Sequence, residues 1–473
     1  MVQSFEKKLQ QHQVKVKKSL KGHKPIHRIK DVCSLENGTL LQLPREYEAE
    51  LCAGFVGFIP AAGASSRFLA PFLHLLQSLE RETGVAEAYQ ELLLQPGLLP
   101  DVVHQLKNNS KPSHAVIDAI FEVLTGPKAF FPCVQEGAHF LQMKDLEHQS
   151  YGFLQGQVFI APEGYEKRFK EFNGCLDTHV FTQNRDMSTV RCSQDGEFLK
   201  DQEDYSIVPA GHGALTELFS KVQTSLPHAK SLLIRNIDNV TGVAESVVEH
   251  TQYFVSFYGK IRKFLDKIRE ALQQGQRDIA CSFAHELMSC VPQKWSPDVE
   301  QQALLKEKAS DPLYLVQMQL FHTPISLLKE FSLLKLYQRP LNLLGQVPKL
   351  DSDVGGTPVL TREGFKLCIE LAHVSTEDRE TYLAKSTHFN PVLVAAELVA
   401  GDPYDQEHPF WIVARKQWKG QSVFYYESLL YELLGNSILA NVVFVSVPRF
   451  LFQPHKSFAD TEHQTMVDLG FEG

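Results

Sequence analysis

Ser231-Leu232-Leu233-Ile234 is a short apolar run, and Arg235-Asn236-Ile237-Asp238-Asn239 carries it straight into a polar turn. Such a run bounded by turn formers reads as a strand buried on both faces, as the strands of parallel sheets are. Ligands of open α/β sheets bind outside the carboxyl ends of their strands. Asp238 and Asn239 therefore stand where a ligand would be met. A carboxylate there can hold Mg2+ through one oxygen, with water and phosphate filling the octahedron. An Asp-Asn turn after a strand is also a common structural device.

The pattern recurs outward from this stretch. Phe55-Val56-Gly57-Phe58-Ile59 is a second buried run, bounded by Pro60 and Gly63. The residues from Ala61 to Arg67 are small and polar, and a helical pattern follows them. Such a loop lets backbone N–H groups reach phosphate oxygens, and Arg67 adds a forked, charge-assisted contact. An ordinary strand-to-helix turn has the same look. In Pro209-Ala210-Gly211-His212-Gly213-Ala214-Leu215, two glycines flank a histidine, which suggests backbone passing close to something flat or anionic. His212 could then meet a base or sugar; alternatively the glycines form a tight turn beside a helix cap. Lys128, after Gly126-Pro127, is either a point charge for phosphate or a surface lysine. His388 and Asn390 could touch a sugar or cap a turn before Pro391. Asp402 and Asp405 look like turn formers around Pro403, while Arg415 and Lys416 end a β run and offer weak support for a phosphate contact.

The 473 residues predict several domains or one large domain with insertions. Residues 1–45 read as a basic, solvated helix and arm, carrying Lys7, Lys8, Lys15, Lys17 and Lys18. Residues 46–242 read as an α/β half with a helical insertion at 69–125. Residues 243–338 read as a second helical insertion, since Val247, Phe254, Phe257, Ile261, Phe264, Leu265, Ile268 and Leu272 keep a helical period, and Pro324 breaks its last helix. Residues 339–473 return to β-rich runs that complete the sheet. Strands alternating with helices at this spacing imply a largely parallel sheet with helices on both faces.

A net charge of −9 argues against sequence-independent nucleic-acid binding, which needs a basic footprint. Eight cysteines without a CxxC pair predict free, mostly buried thiols in a reducing, cytoplasmic setting, and no zinc site. Neither a secretory leader nor a membrane span is expected, because no apolar stretch is long enough.

Taken together, the strings resemble a known architecture. PAAGASSR (60–67) is similar to the LAGGxGTR loop of nucleotidyltransferases, and GPK (126–128) to the Pro-Lys that follows it. PAGHGAL (209–215) and NIDN (236–239) resemble elements of the UDP-sugar pyrophosphorylases. More closely, the chain is identified as resembling the domain of unknown function 4301 family. The matching strings are PAAGASSRF (60–68), FTQNRDMST (181–189), VPAGHGALTEL (208–218) and LLIRNIDNV (232–240), with Ser386–Pro391, Gly401–Gln406, Pro409–Lys416 and Val442–Pro448 later. The resemblance runs from about residue 50 to the end. It implies a three-layer α/β/α nucleotide-diphospho-sugar transferase (Rossmann-like) core with a mixed, mostly parallel sheet and helical insertions. By that resemblance Ala62, Gly63, Ser65 and Arg67 border a triphosphate and Lys128 neutralises it. Gln183, Gly211, His212 and Gly213 face the base, and Asp238 binds Mg2+. The implied reaction is Mg2+-dependent: a sugar 1-phosphate takes a nucleotidyl group from a nucleoside triphosphate and releases pyrophosphate. Two features depart from the pyrophosphorylase pattern. Ala62 and Ala64 stand where it has glycine, and no second metal carboxylate matches firmly, Asp353 and Glu363 being the candidates. Both are also what a nucleotide- or nucleotide-sugar-binding protein without catalysis would carry.

Overall fold

The computed structural model of the chain describes residues 5–62, 70–93, 132–135, 138–141, 154–171, 177–239, 241, 245–291, 303–304, 306–307, 311–350, 353, 355–399, 404 and 411–454. The chain folds into two compact units. The first comprises Met1–Val56, Gln183–Ile234 and Gln252–Pro448; the second comprises Gly57–Thr182, Arg235–Thr251 and Arg449–Gly473. The units are interleaved along the chain, in contrast to the consecutive segments read from the sequence.

Helix α1 (Phe5–Leu20) is followed by β1 (Ile29–Val32), β2 (Leu41–Gln42) and β3 (Phe55–Pro60), the last running into the second unit. That unit continues with α2 (Ala70–Arg81), α3 (Val85–Leu93), β4 (Pro132–Gln135), β5 (Ala138–Leu141), β6 (Gln157–Ala161) and β7 (Thr178–Thr182). Back in the first unit come β8 (Ser188–Val190), β9 (Lys200–Asp201), β10 (Asp204–Tyr205), β11 (Ile207–Pro209) and β12 (Ser231–Ile234). After the long helix Glu245–Gln273 the chain adds β13 (Leu341–Pro348), β14 (Thr357–Thr361), β15 (Lys366–Ile369) and β16 (His388–Glu397). It closes with β17 (Trp411–Trp418), β18 (Gln421–Ser428) and β19 (Asn441–Ser446).

In the first unit the main strands run in the order β2-β19-β13-β16-β12. β2, β19 and β13 are parallel, and β16 is antiparallel to both β13 and β12. The carboxyl ends of β12, β13 and β19 therefore meet the amino end of β16 at one edge. Leu341 to Val347 are all buried, as a strand covered on both faces requires. The long helix lies against these strands. Tyr258 Oη is 3.1 Å from Ser231 Oγ, and Arg269 grips both Glu397 oxygens at 2.6 and 2.9 Å. The helical block that begins at 243 is thus a layer on the sheet and not only an appendage. A small antiparallel sheet, β1-β14-β15, buries Val32, Val359, Leu367 and Ile369 in its own apolar cluster.

The N-terminal helix departs from expectation. Leu9, His12 and Val16 are buried at helical spacing. The His12 ring stacks on Tyr426 at 3.9 Å and 12°. The helix is therefore docked rather than solvated, and the segment read as an arm supplies β1 and β2 to two sheets.

In the second unit β3, β6 and β7 are parallel throughout. Ile59, Ala61, Phe159, Ala161, Phe169 and Ile237 form its core beside them. Among the described parts the expected mixed, mostly parallel sheet forms, Pro324 starts a new helix at Ile325–Glu330, and the Asp195-Gly196 turn closes with Ser193 N–H donating to the Glu197 carbonyl at 2.8 Å. A short helix, Glu166–Lys170, follows β6. No helix of the described residues is long and apolar enough to cross a membrane.

Candidate functional site

In the first unit, Gln183 and the Gly211–Gly213 loop come to the same end of the β8-β11 ribbon. Pro209 pairs with Ser188, and the Ala210 N–H donates to the Met187 carbonyl at 3.1 Å. The turn between Gln183 and β8 is held by Asn184, whose side chain accepts from the Asp186 N–H at 3.1 Å. Gln183 is half-buried, and His212 is exposed at the start of the short helix His212–Leu218.

The two glycines have an internal reason. Gly211 sits at φ +85°, and a Cβ there would stand 2.6 Å from the Ser428 carbonyl oxygen. At Gly213 a Cβ would stand 2.2 Å from Ser428 Oγ. The Ser428 N–H also donates to the Ala210 carbonyl at 2.7 Å. The close backbone approach read from this motif is real, but the partner seen is the end of β18.

His388 is not in a turn, as the capping alternative would have it, but opens β16. It is buried, with Nε2 2.9 Å from Ser446 Oγ and Nδ1 3.0 Å from Thr387 Oγ1. Burial drives its pKa down to about 4, so the ring is neutral. A sugar contact through His388 would have to displace one of these hydroxyls. Asn390 has φ +46°, beside a register irregularity between β13 and β16, and its N–H donates to the Gly356 carbonyl at 2.6 Å. The irregularity is what keeps a strand running through a sequence that looks like a turn.

In the second unit, the segments that lead to Ala62 and Asp238 pack together. The Arg235 N–H donates to the Phe58 carbonyl at 3.2 Å, so the chain leaving β12 runs beside the end of β3. Ile237 packs in the same cluster as Ile59 and Ala61, so the residues just before Asp238 and Ala62 share one core at the carboxyl end of β3. Asp238 and Ala62 are both half-buried. The Asp238 turn is braced on each side: Asn236 Oδ1 accepts from the Asp238 N–H at 2.9 Å, and Asn239 bonds the Leu451 carbonyl and Gln453 N–H, each at 2.7 Å. Glu166, which the sequence did not mark, lies at this edge too. A backbone N–H bond and the Thr182 hydroxyl, 2.9 Å away, hold its carboxyl below the ordinary value.

Gly63, Ser65, Arg67 and Lys128, with Ala64, Asp402 and Asp405, lie outside the described residues. Of the two candidates for a second metal carboxylate, Asp353 accepts from the Leu350 N–H at 2.8 Å, and Glu363 sits in the turn between β14 and β15. Among the described residues no three His, Cys, Asp or Glu side chains gather as a metal cage. Magnesium takes one or two carboxylates and fills its shell with water and phosphate. A single carboxylate such as Asp238 fits an ion whose remaining shell is water and phosphate.

Solved structures of similar shape include UDP-glucose phosphorylase from Trypanosoma brucei, at 15% identity and TM-score 0.47, covering 95% of this chain and 73% of that one. UDP-glucose pyrophosphorylase from Leishmania major matches at 13% identity and TM-score 0.45, covering 96% and 74%. A protein described as a UDP-N-acetylglucosamine pyrophosphorylase from Entamoeba histolytica matches at 10% and 0.44, covering 85% and 76%. No curated protein matches the chain. The model of the family described as domain of unknown function (DUF4301) matches residues 162–464, which is more than half of the chain and contains β7, the Gly211–Gly213 loop, Asp238 and His388. The chain belongs to the DUF4301 family.

Proposed function

We propose that this protein is a nucleotidyltransferase acting on a nucleoside triphosphate and a sugar 1-phosphate. A phosphate oxygen of the sugar phosphate attacks the α-phosphorus in line. The bond to the β-phosphate breaks, and pyrophosphate leaves. No general base is needed, because the attacking phosphate is already anionic. Positioning and charge neutralisation do most of the catalysis. In this reading Arg67 and Lys128 neutralise the phosphates, and Ala62, Gly63 and Ser65 border them. Gln183, Gly211, His212 and Gly213 face the base, and His388 and Asn390 lie on the sugar side. Asp238 holds Mg2+, which would supply charge for the leaving pyrophosphate.

The observation that carries the reading is the packing of Ile237 with Ile59 and Ala61 at the carboxyl end of β3, which brings the segments of Asp238 and Ala62 to the edge where ligands of such sheets bind. The test is exchange of labelled pyrophosphate into triphosphate, with a panel of triphosphates, sugar 1-phosphates and Mg2+. Turnover is expected with at least one pair, and Asp238→Ala should reduce it about a hundredfold or more, the scale of losing a key charge at phosphoryl transfer. No exchange with any pair, and an Asp238→Ala variant indistinguishable in nucleotide binding, would end this reading.

A second reading is a protein that binds a nucleotide or nucleotide sugar without turnover. Ala62 favours it, because its methyl group stands where close approach of a triphosphate calls for glycine. Metal-independent thermal stabilisation by nucleotide, without exchange, would select it.

A further inference from the structure

Helix α1 lies outside residues 162–464, and its Lys8, His12, Gln13 and Lys17 all grip residues within them. Lys8 Nζ donates to the Asp186 carbonyl at 2.6 Å and forms an ion pair with Glu217. Asp186 belongs to the turn that follows Gln183, and Glu217 to the short helix that begins at His212. One ammonium thus ties together the two segments that carry Gln183 and Gly211–Gly213. Its neighbours along α1 hold the same region. The Arg185 guanidinium lies 5.3 Å from the centre of the Phe5 ring, and His12 Nδ1 is 3.1 Å from Thr189 Oγ1 in β8. Gln13 donates to the Gly196 carbonyl at 3.0 Å, and Lys17 pairs with Glu197 at 2.8 Å. The buried stripe of Leu9, His12 and Val16 fixes which side of the helix faces these partners.

We propose that α1 is a strap that sets the spacing of the Gln183 turn and the Gly211–Gly213 loop, with Lys8 as its positioning residue. The proposal rests on the assignment of those two segments to nucleotide binding. Lys8 touches no ligand itself; it acts through Asp186 and Glu217. An ammonium suits the task because it offers three donors, enough to serve a backbone carbonyl and a carboxylate at once.

The test uses the full chain carrying Lys8→Gln, Lys8→Arg, Lys8→Glu, Glu217→Lys or the exchanged pair Lys8→Glu/Glu217→Lys. UDP-glucose affinity is measured by calorimetry, and amide hydrogen exchange is followed at 184–187 and 216–218, with 441–446 as the internal reference. Lys8→Gln should weaken UDP-glucose binding roughly three- to tenfold, the range of one ordinary net hydrogen bond, since Lys8 acts only through the two loops. It should also speed exchange at 184–187 and 216–218 while leaving 441–446 unchanged. Lys8→Arg and the exchanged pair should recover most of both effects. Unchanged exchange at the two loops in Lys8→Gln would overturn the strap, as would faster exchange spread equally into 441–446. If the natural chain binds no UDP-glucose, the nucleotide-sugar assignment fails, and the exchange data still decide whether the strap exists.

Discussion

Two buried histidines of the first unit, His12 and His373, show how one side chain is put to opposite use. His12 is 6% exposed, stacked on Tyr426, with Lys8 and Lys15 nearby. Burial first, and then the two lysines, drive its pKa down to about 3. The ring is neutral, with its face stacked on Tyr426 and Nδ1 meeting Thr189 Oγ1. His373 is more deeply buried, yet its pKa is raised. Burial alone would lower it, but the Glu432 carboxylate overrides that, with its oxygens 2.8 and 2.7 Å from Nδ1. Nε2 faces the Trp411 carbonyl at 2.8 Å. Both ring nitrogens face acceptors, an arrangement that favours the protonated ring. Glu432 also accepts from the Glu370 N–H at 2.8 Å, which makes the pair a knot between β15, the start of β17 and the helix Leu430–Leu434. Depth of burial does not settle a histidine's charge; the chemistry of the facing atoms does.

Removing Glu432 is expected to have the largest effect. Glu432→Leu leaves a buried imidazolium without its carboxylate and should cost about 3–5 kcal/mol of stability in urea unfolding. A loss below about 1 kcal/mol would mean that His373 is neutral and the contrast with His12 is false. Next comes Gly213→Ala, on the face of β18 that also presents Tyr426 to α1. Its Cβ would collide with Ser428, whose backbone cannot easily yield, so a loss of about 1–3 kcal/mol is expected by the same unfolding assay. Stability equal to the natural chain would show that this face is loosely packed.

The smallest effect is the acid response of His12. Its folded pKa lies below the unfolded value of 6.5, so the unfolded state binds more protons between pH 6.5 and about 3. Stability from this group is therefore intact above pH 6.5 and falls as pH drops through that window. His27, His322 and His388 are shifted the same way, so the informative quantity is a difference. His12→Phe keeps a ring on Tyr426 and should spare the protein about 1 kcal/mol of the loss between pH 6.5 and pH 5. Parallel melting-temperature curves for the two proteins would remove His12 from the acid response. His373 works in the other direction. Its stabilisation is complete below pH 6.5 and is lost as pH rises through its raised folded value.

Much of the architecture could be read locally. The apolar runs of β3 and β12 and the helical period of Glu245–Gln273 each reflect a short-range pattern of burial, and Pro324 breaks a helix wherever it stands. The docking of α1 was not readable in this way. Leu9, His12 and Val16 announce a buried stripe, but Tyr426 lies some four hundred residues away, and nothing in either segment names the other. The lysines between them suggested a solvated face because their partners, Asp186, Glu197 and Glu217, are also remote in sequence. His388 was misread for a different reason. Proline after Phe389-Asn390 looks like a turn, and only pairing with β13 through an irregular register makes it a strand.

The candidate site divides along the same line. Residue type and spacing along the chain were enough to point to a strand end at Asp238, to a small-residue exit after β3 at Ala62, and to a tight backbone approach at Gly211 and Gly213. Which atoms meet was left to the folded chain. Ile237 had to pack with Ala61 before the segments of Asp238 and Ala62 could share one edge, and Ser428 had to arrive from β18 before the glycines had a reason. Local patterns record what each segment must bury or bend; the identity of the partner depends on long-range packing, which no single segment encodes.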